Sequence, residues 1–208
     1  MIDLYTWGTP NGQKISIALE EMGLAYRVHP IDITAGDQFH PEFLKISPNN
    51  KIPAIKDEDQ SVFESVAILT YLSKKTGQFL PSENTRRYWE VFQWLMWQTS
   101  GFGPMLGQAH HFLHFNPGKS EYAAKRYSEE SHRLYGVLDK QLSQSTYIID
   151  ELSIADFAIW PWVACFELHK VDLKKFPHVL HWYEALAERP GFIKGYAQPK
   201  EKVIPQIL

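Results

Sequence analysis

The chain has 208 residues, 44% of them hydrophobic and 22% charged, with a formal net charge of -3. These proportions suit a chain that buries a core and exclude a disordered one, and the length leaves room for one large domain or two small ones. The basic pairs Lys74/Lys75, Arg86/Arg87 and Lys174/Lys175 lie far apart; they read as solvated helix faces, not as the footprint that neutralises nucleic-acid phosphates.

Ile2 to Thr6 reads as a strand, followed by the turn cluster Thr9-Pro10-Asn11-Gly12. Apolar residues at Ile15, Ala18, Leu19 and Met22 then mark one helical face, with Gly23 as its C-terminal cap. Tyr26 to Ile31 alternates as a second strand would. Phe39 to Ile46 makes a short helix or turn before the break Ser47-Pro48-Asn49-Asn50. Pro53 to Lys56 and Ser61 to Phe63 suit a hairpin. Ser65 precedes Ile68, Leu69 and Leu72 on a further helical face that ends near Gly77. Residues 1–80 therefore read as a β-α-β-α-β-β-α domain.

After Glu83 the strand signal disappears. Tyr88, Phe92, Leu95 and Met96 form one helical stripe, and Leu134, Leu138 and Leu142 another. Trp89, Trp94 and Trp97 recur near helical spacing, and most of these rings are expected in the core. Ser153-Ile154-Ala155-Asp156 reads as a capping box, with Asp where Glu or Gln is commoner. The helix that it opens is apolar nearly all round through Phe166, which places it mid-core. Val179, Tyr183 and Leu186 mark a final helix, stopped by Pro190-Gly191. Residues 83–208 are thus expected to form an all-helical domain.

The longest uncharged apolar run, Phe157 to Phe166, falls short of the ~20 residues of a membrane span, and no charged-then-apolar leader follows Met1. Cys165 is the sole cysteine, so an oxidising compartment confers no internal disulfide. The expectation is a cytoplasmic protein without membrane or nucleic-acid partners.

This layout, a thioredoxin-like α/β domain followed by helices, resembles the glutathione transferases. Asn50-Lys51-Ile52-Pro53-Ala54-Ile55 resembles the segment before their third strand, where a cis-proline is customary. Phe63-Glu64-Ser65-Val66-Ala67-Ile68 with Tyr71-Leu72 resembles their glutathione carboxylate motif, and Ser153 to Asp156 their helix-nucleating box. Thr9 to Lys14, Ser47 to Lys51, and Gly103 to Gln108 with His110-His111-Phe112 resemble the bacterial Nu-class subfamily, which includes glutathione-dependent disulfide-bond oxidoreductases.

The resemblance implies glutathione as co-substrate, no metal, and a homodimer. Glu64 and Ser65 sit where a loop enters a helix, so backbone amides and a hydroxyl suit a carboxylate there. The resemblance assigns them the γ-glutamyl end, with Glu64 on its ammonium; the plainer reading is an N-cap serine beside a solvated acid. Ile52 would pair with the cysteinyl backbone if Pro53 is cis, like an added strand. Gln38 and Lys51 would reach the glycyl carboxylate, or be surface polar residues.

Thr9 and Asn11 precede a helix whose N-terminus favours an anion, which suits hydrogen-bond donors to a glutathione thiolate. A plain turn is the alternative. Tyr5, within a strand, reads as structural. Arg126 matches a position that contacts a second glutathione; otherwise it is an exposed helix arginine. His110 and His114 share a helix face and read as pocket lining or packing. Cys165, in an apolar run, reads as a small hydrophobe. A disulfide reductase without a cysteine of its own draws both working sulfurs from glutathione and a small disulfide substrate, and the resemblance implies room for two glutathione molecules or glutathione disulfide. A transferase conjugating small electrophiles and a non-catalytic glutathione-binding scaffold are the alternatives.

Overall fold

The computed structural model describes residues 1–207 and divides into two compact units: Met1–Leu80 with Ala187–Ile204, and Pro81–Leu186 with the segment from Pro205. The first unit opens as its periodicity dictates, with β1 (Ile2–Thr6), α1 (Pro10–Glu21) and β2 (Tyr26–Pro30). A 3-10 turn (Asp37–Phe39) and the one-turn α2 (Pro41–Leu44) lead to β3 (Ala54–Asp57), β4 (Gln60–Phe63) and α3 (Ser65–Thr76). The four strands are ordered β2-β1-β3-β4, with β1 parallel to β2 and antiparallel to β3, and β3 antiparallel to β4. Parallel strands require a crossover, which α1 supplies. Ile15, Ala18 and Leu19 on α1, and Ile68, Leu69 and Leu72 on α3, are all fully buried.

The segment Ala187–Ile204, which follows the helical unit, belongs to the first unit. Pro190-Gly191 does not terminate structure; Pro190 is the first residue of a further helix, α10 (Pro190–Tyr196), a position that suits a residue without an N–H. This helix packs on α1. Ser16 donates to the carbonyl of Gly195 at 2.7 Å, Gln13 Nε2 donates to the carbonyl of Tyr196 at 3.3 Å, and Arg189 pairs with Glu21. A Cβ at Gly195 would lie 2.5 Å from the Ile17 backbone, so only glycine permits this approach.

The second unit is helical: α4 (Arg86–Trp97), α5 (Gly103–His110), α6 (Glu121–Leu142), α7 (Ile154–Val163), α8 (Phe166–His169) and α9 (Pro177–Ala187). Two π-helical turns, Gln98–Phe102 and His111–Phe115, flank α5. All ten residues of α7 are buried, and Ser153 and Asp156 cap it reciprocally, as the box predicts. Leu134, Leu138 and Leu142 are buried on α6. On α4 the stripe is displaced: Val91 and Leu95 are buried, whereas Met96 and Trp89 are 40% and 58% exposed. Trp94 and Trp97 are half-buried. The tryptophans pack instead against neighbouring rings, Trp89 on Tyr88 and Phe92, and Trp94 on Trp97. Among the described residues, no helix is long and apolar enough to cross a membrane.

Candidate functional site

A cleft of about 190 Å³ in the first unit gathers six of the sequence-predicted residues: Asn11, Lys51, Ile52, Pro53, Glu64 and Ser65. Three others share it, Ser47, Asn49 and Phe63. The Ile52–Pro53 bond is cis. Among the described residues, neither the N–H nor the C=O of Ile52 takes part in a hydrogen bond. Ser47, 1% exposed, supports this loop by donating to the Lys51 carbonyl at 2.8 Å. In the sequence Ser47 is legible as part of a turn, not as part of a site. A serine followed by Pro-Asn-Asn is a signal for a side chain that closes a turn on itself.

The far wall of the cleft is the start of α3. Glu64 is its N-cap residue, with a positive φ of 69° and no side-chain bond to the helix. Ile68 is the first residue whose N–H finds a backbone acceptor, the Glu64 carbonyl at 2.9 Å. The amides of Ser65, Val66 and Ala67 precede it uncapped, and a helix start in that condition is a ready anion site. The exposed Glu64 carboxylate is 3.5 Å from Asn49 Nδ2.

Lys14 adds a residue outside the sequence-predicted set. It is 2% exposed, on α1, and its Nζ donates to Ser65 Oγ at 3.2 Å. Burial pushes its pKa down to about 7, against the Glu64 carboxylate, which raises it. A lysine at a helix position reads as solvated, and no local signal marked it as buried.

Thr9 caps α1: its hydroxyl accepts the Gly12 amide at 3.3 Å, its carbonyl accepts Gln13 N–H at 3.0 Å, and Pro10 occupies the first turn. The Thr9 hydroxyl keeps its own proton to donate. It does not line the cleft but sits two residues from Asn11, which does. A Cβ on Gly12 would collide with the Trp7 carbonyl and Thr6 Oγ, so glycine lets the loop close on the helix start.

The remaining predicted residues lie elsewhere. Gln38 is on the 3-10 turn, where its Nε2 donates to the Ile33 carbonyl at 3.3 Å and its Oε1 is buried without a partner. Arg126 is exposed on α6, in the second unit. Tyr5 stacks on His29 at 4.7 Å beside a separate cleft lined also by Phe43 and Lys56. Burial raises its pKa, so it keeps its proton. Cys165 is 7% exposed, in the turn between α7 and α8. His110 packs against the rings of His169 and Trp162.

Residues 1–74 match the family model "Glutathione S-transferase, N-terminal domain" and residues 102–190 match "Glutathione S-transferase, C-terminal domain". The chain belongs to the glutathione S-transferase family and is an enzyme of that type. It is 52% identical over 199 residues to the disulfide-bond oxidoreductase YfcG of Escherichia coli, covering 92% of each chain. With the E. coli disulfide-bond oxidoreductase YghU it shares 42% identity, over 93% of this chain and 73% of that one. A glutathione transferase from Pseudomonas putida, solved with one glutathione disulfide per subunit, superposes with a TM-score of 0.89 at 42% identity, covering 95% of this chain and 91% of that one.

Proposed function

We propose that this enzyme is a glutathione-dependent thiol–disulfide oxidoreductase that uses no cysteine of its own. The observation that carries the reading is the pairing, in one cleft, of the uncapped start of α3 with the unpaired Ile52 backbone. A γ-glutamyl carboxylate takes the Ser65 hydroxyl and the α3 amides, and Glu64 takes the ammonium beside it. The cysteinyl backbone pairs with Ile52 as an added strand would. Lys51 meets the glycyl carboxylate. Gln38 and Arg126, the latter toward a second glutathione, rest on the family resemblance alone.

Thr9 and Asn11 stabilise the thiolate by donating to sulfur at the start of α1, where the helix dipole adds to the effect. That thiolate attacks the substrate disulfide, forms a mixed disulfide and expels a substrate thiolate, which takes up a proton. A second glutathione thiolate then attacks the mixed disulfide, giving glutathione disulfide and the second substrate thiol. The burial of Cys165 supports this assignment, because an exchanging cysteine needs access. The names of the two E. coli relatives favour disulfides over other substrates.

Conjugation of small electrophiles is the second reading, favoured by the match to transferase models over both halves of the chain. The deciding experiment compares turnover of a model disulfide and a chloronitroaromatic at equal glutathione, with Cys165→Ala and Asn11→Ala beside the native enzyme. The expected result is that disulfide turnover dominates, survives Cys165→Ala and is mostly lost in Asn11→Ala. Loss in the cysteine variant alone would overturn the mechanism, and calorimetry without glutathione binding would favour a scaffold.

The reading also includes a homodimer in the cytoplasm. The exposed Trp89 and Met96, seven residues apart on α4, supply an apolar face suited to a second copy. Light scattering on the purified chain tests that association.

A further inference from the structure

Behind the Ser65 hydroxyl lies a buried amine. Lys14 projects from α1, 2% exposed, and its ammonium donates to Ser65 Oγ at 3.2 Å. Lys14 does not line the cleft, whereas Ser65 does. Ser65, the first residue of the uncapped helix start, therefore stands between a buried amine and the cleft. A hydroxyl that accepts from an ammonium presents its own proton on the other side, and donates more strongly because it is polarised. A neutral amine reverses the arrangement: it can accept the serine proton and leave lone pairs toward the cleft.

We propose that Lys14 is the positioning residue of this site: it holds the Ser65 hydroxyl as a donor toward the γ-glutamyl carboxylate and takes up a proton when the tripeptide binds. The inference rests on the assignment of the cleft to glutathione. Glu64, at the head of α3, is the acid whose field reaches it. On α10, which packs against the same helix, the groups that meet Gln13 and Ser16 are the neutral carbonyls of Tyr196 and Gly195. The Arg189–Glu21 pair sits at the opposite end of α1.

Burial leaves the free lysine near its titration midpoint around neutrality. A carboxylate arriving one hydroxyl away favours the charged amine, while the incoming ammonium engages Glu64 on the solvent side. By linkage, a ligand that binds the protonated form better must draw a proton with it, and its affinity falls as pH rises above the free-enzyme pKa.

The test is calorimetric titration of S-methylglutathione, which has no ionisable thiol, in buffers of different ionisation enthalpy. At about pH 8 the native protein is expected to take up a large fraction of one proton per ligand bound. Lys14→Met, checked for folding by circular dichroism, is expected to take up none and to bind about tenfold more weakly near neutral pH. Lys14→Arg, permanently charged, is expected to bind without proton uptake. Binding by the native protein with no proton uptake, or unchanged uptake in either variant, overturns the role of Lys14 and leaves the glutathione assignment standing. Failure of the native protein to bind the ligand at all overturns both.

Discussion

His110 and His169 stack in the interior of the helical unit, with ring centroids 4.4 Å apart and planes 14° from parallel. The Tyr135 hydroxyl meets His169 Nδ1 at 3.0 Å, and the Nε2 atoms of both histidines are buried without partners. Trp162 and Phe115 pack against His110.

This pair predicts acid sensitivity. Burial, with a smaller contribution from His114, holds His110 down at about 4, and burial puts His169 well below its ordinary value. The unfolded chain binds a proton at each histidine below about pH 6.5 that the folded protein refuses. The stability they contribute is therefore whole above that pH and is lost as pH falls toward 4. For His110 alone the loss amounts to on the order of 2 kcal/mol by about pH 5. Urea denaturation of His110→Phe should show a flatter acid limb than the native protein. Parallel limbs would show that the ring is not the acid-sensitive group.

Asp156 titrates in the opposite sense, since burial lifts it to about 6 and its neutral form is favoured as pH falls. The histidine effect is thus read as a difference between proteins. The same aspartate accepts from Ile148 N–H at 3.0 Å, Ser153 N–H at 2.9 Å, Ser153 O–H at 3.1 Å and Trp182 Nε1 at 2.9 Å. Asp156→Asn replaces one acceptor by a donor facing other donors. It should cost roughly 2–4 kcal/mol, read as a lowered denaturation midpoint.

Ser65→Ala removes the hydroxyl between Lys14 and the cleft without touching the N-cap of α3, which is Glu64. Glutathione affinity should weaken roughly ten- to a hundredfold, the range for a hydrogen bond to a charged group. Equilibrium titration measures it, and an unchanged dissociation constant would place the carboxylate elsewhere.

Gly12→Ala tests the loop before α1. The added methyl meets the Trp7 carbonyl and Thr6 Oγ, so the segment carrying Thr9 must shift. Stability should fall by about 1–3 kcal/mol, and disulfide turnover should drop further than glutathione binding does. Equal losses in both would argue that the segment does not face the sulfur.

The order of elements from β1 to α3 was readable because each carries its own period and its own turn residues. The cap of α7 was readable because both arms lie within Ser153 to Asp156. What escaped depends on segments distant in the chain. Lys14 reads as a surface residue because its partner, Ser65, belongs to α3, a separate helix that nothing near Lys14 announces. His169 and His110 meet only through tertiary packing. Trp89 illustrates the converse, a large ring at helical spacing that the helix leaves 58% exposed. Ser47, by contrast, lay within a recognised turn, and only its direction toward Lys51 was lacking.

The return of α10 has a consequence for synthesis. The unit carrying the cleft is begun before the helical unit is made and finished only after it, with Ser16 and Gln13 waiting for carbonyls at Gly195 and Tyr196. On the ribosome the α/β unit remains open along one side of α1 while the intervening helices emerge. Its closure waits until α10 has emerged behind them. A nascent chain arrested before residue 190 would therefore expose the underside of α1, however well its sheet had formed.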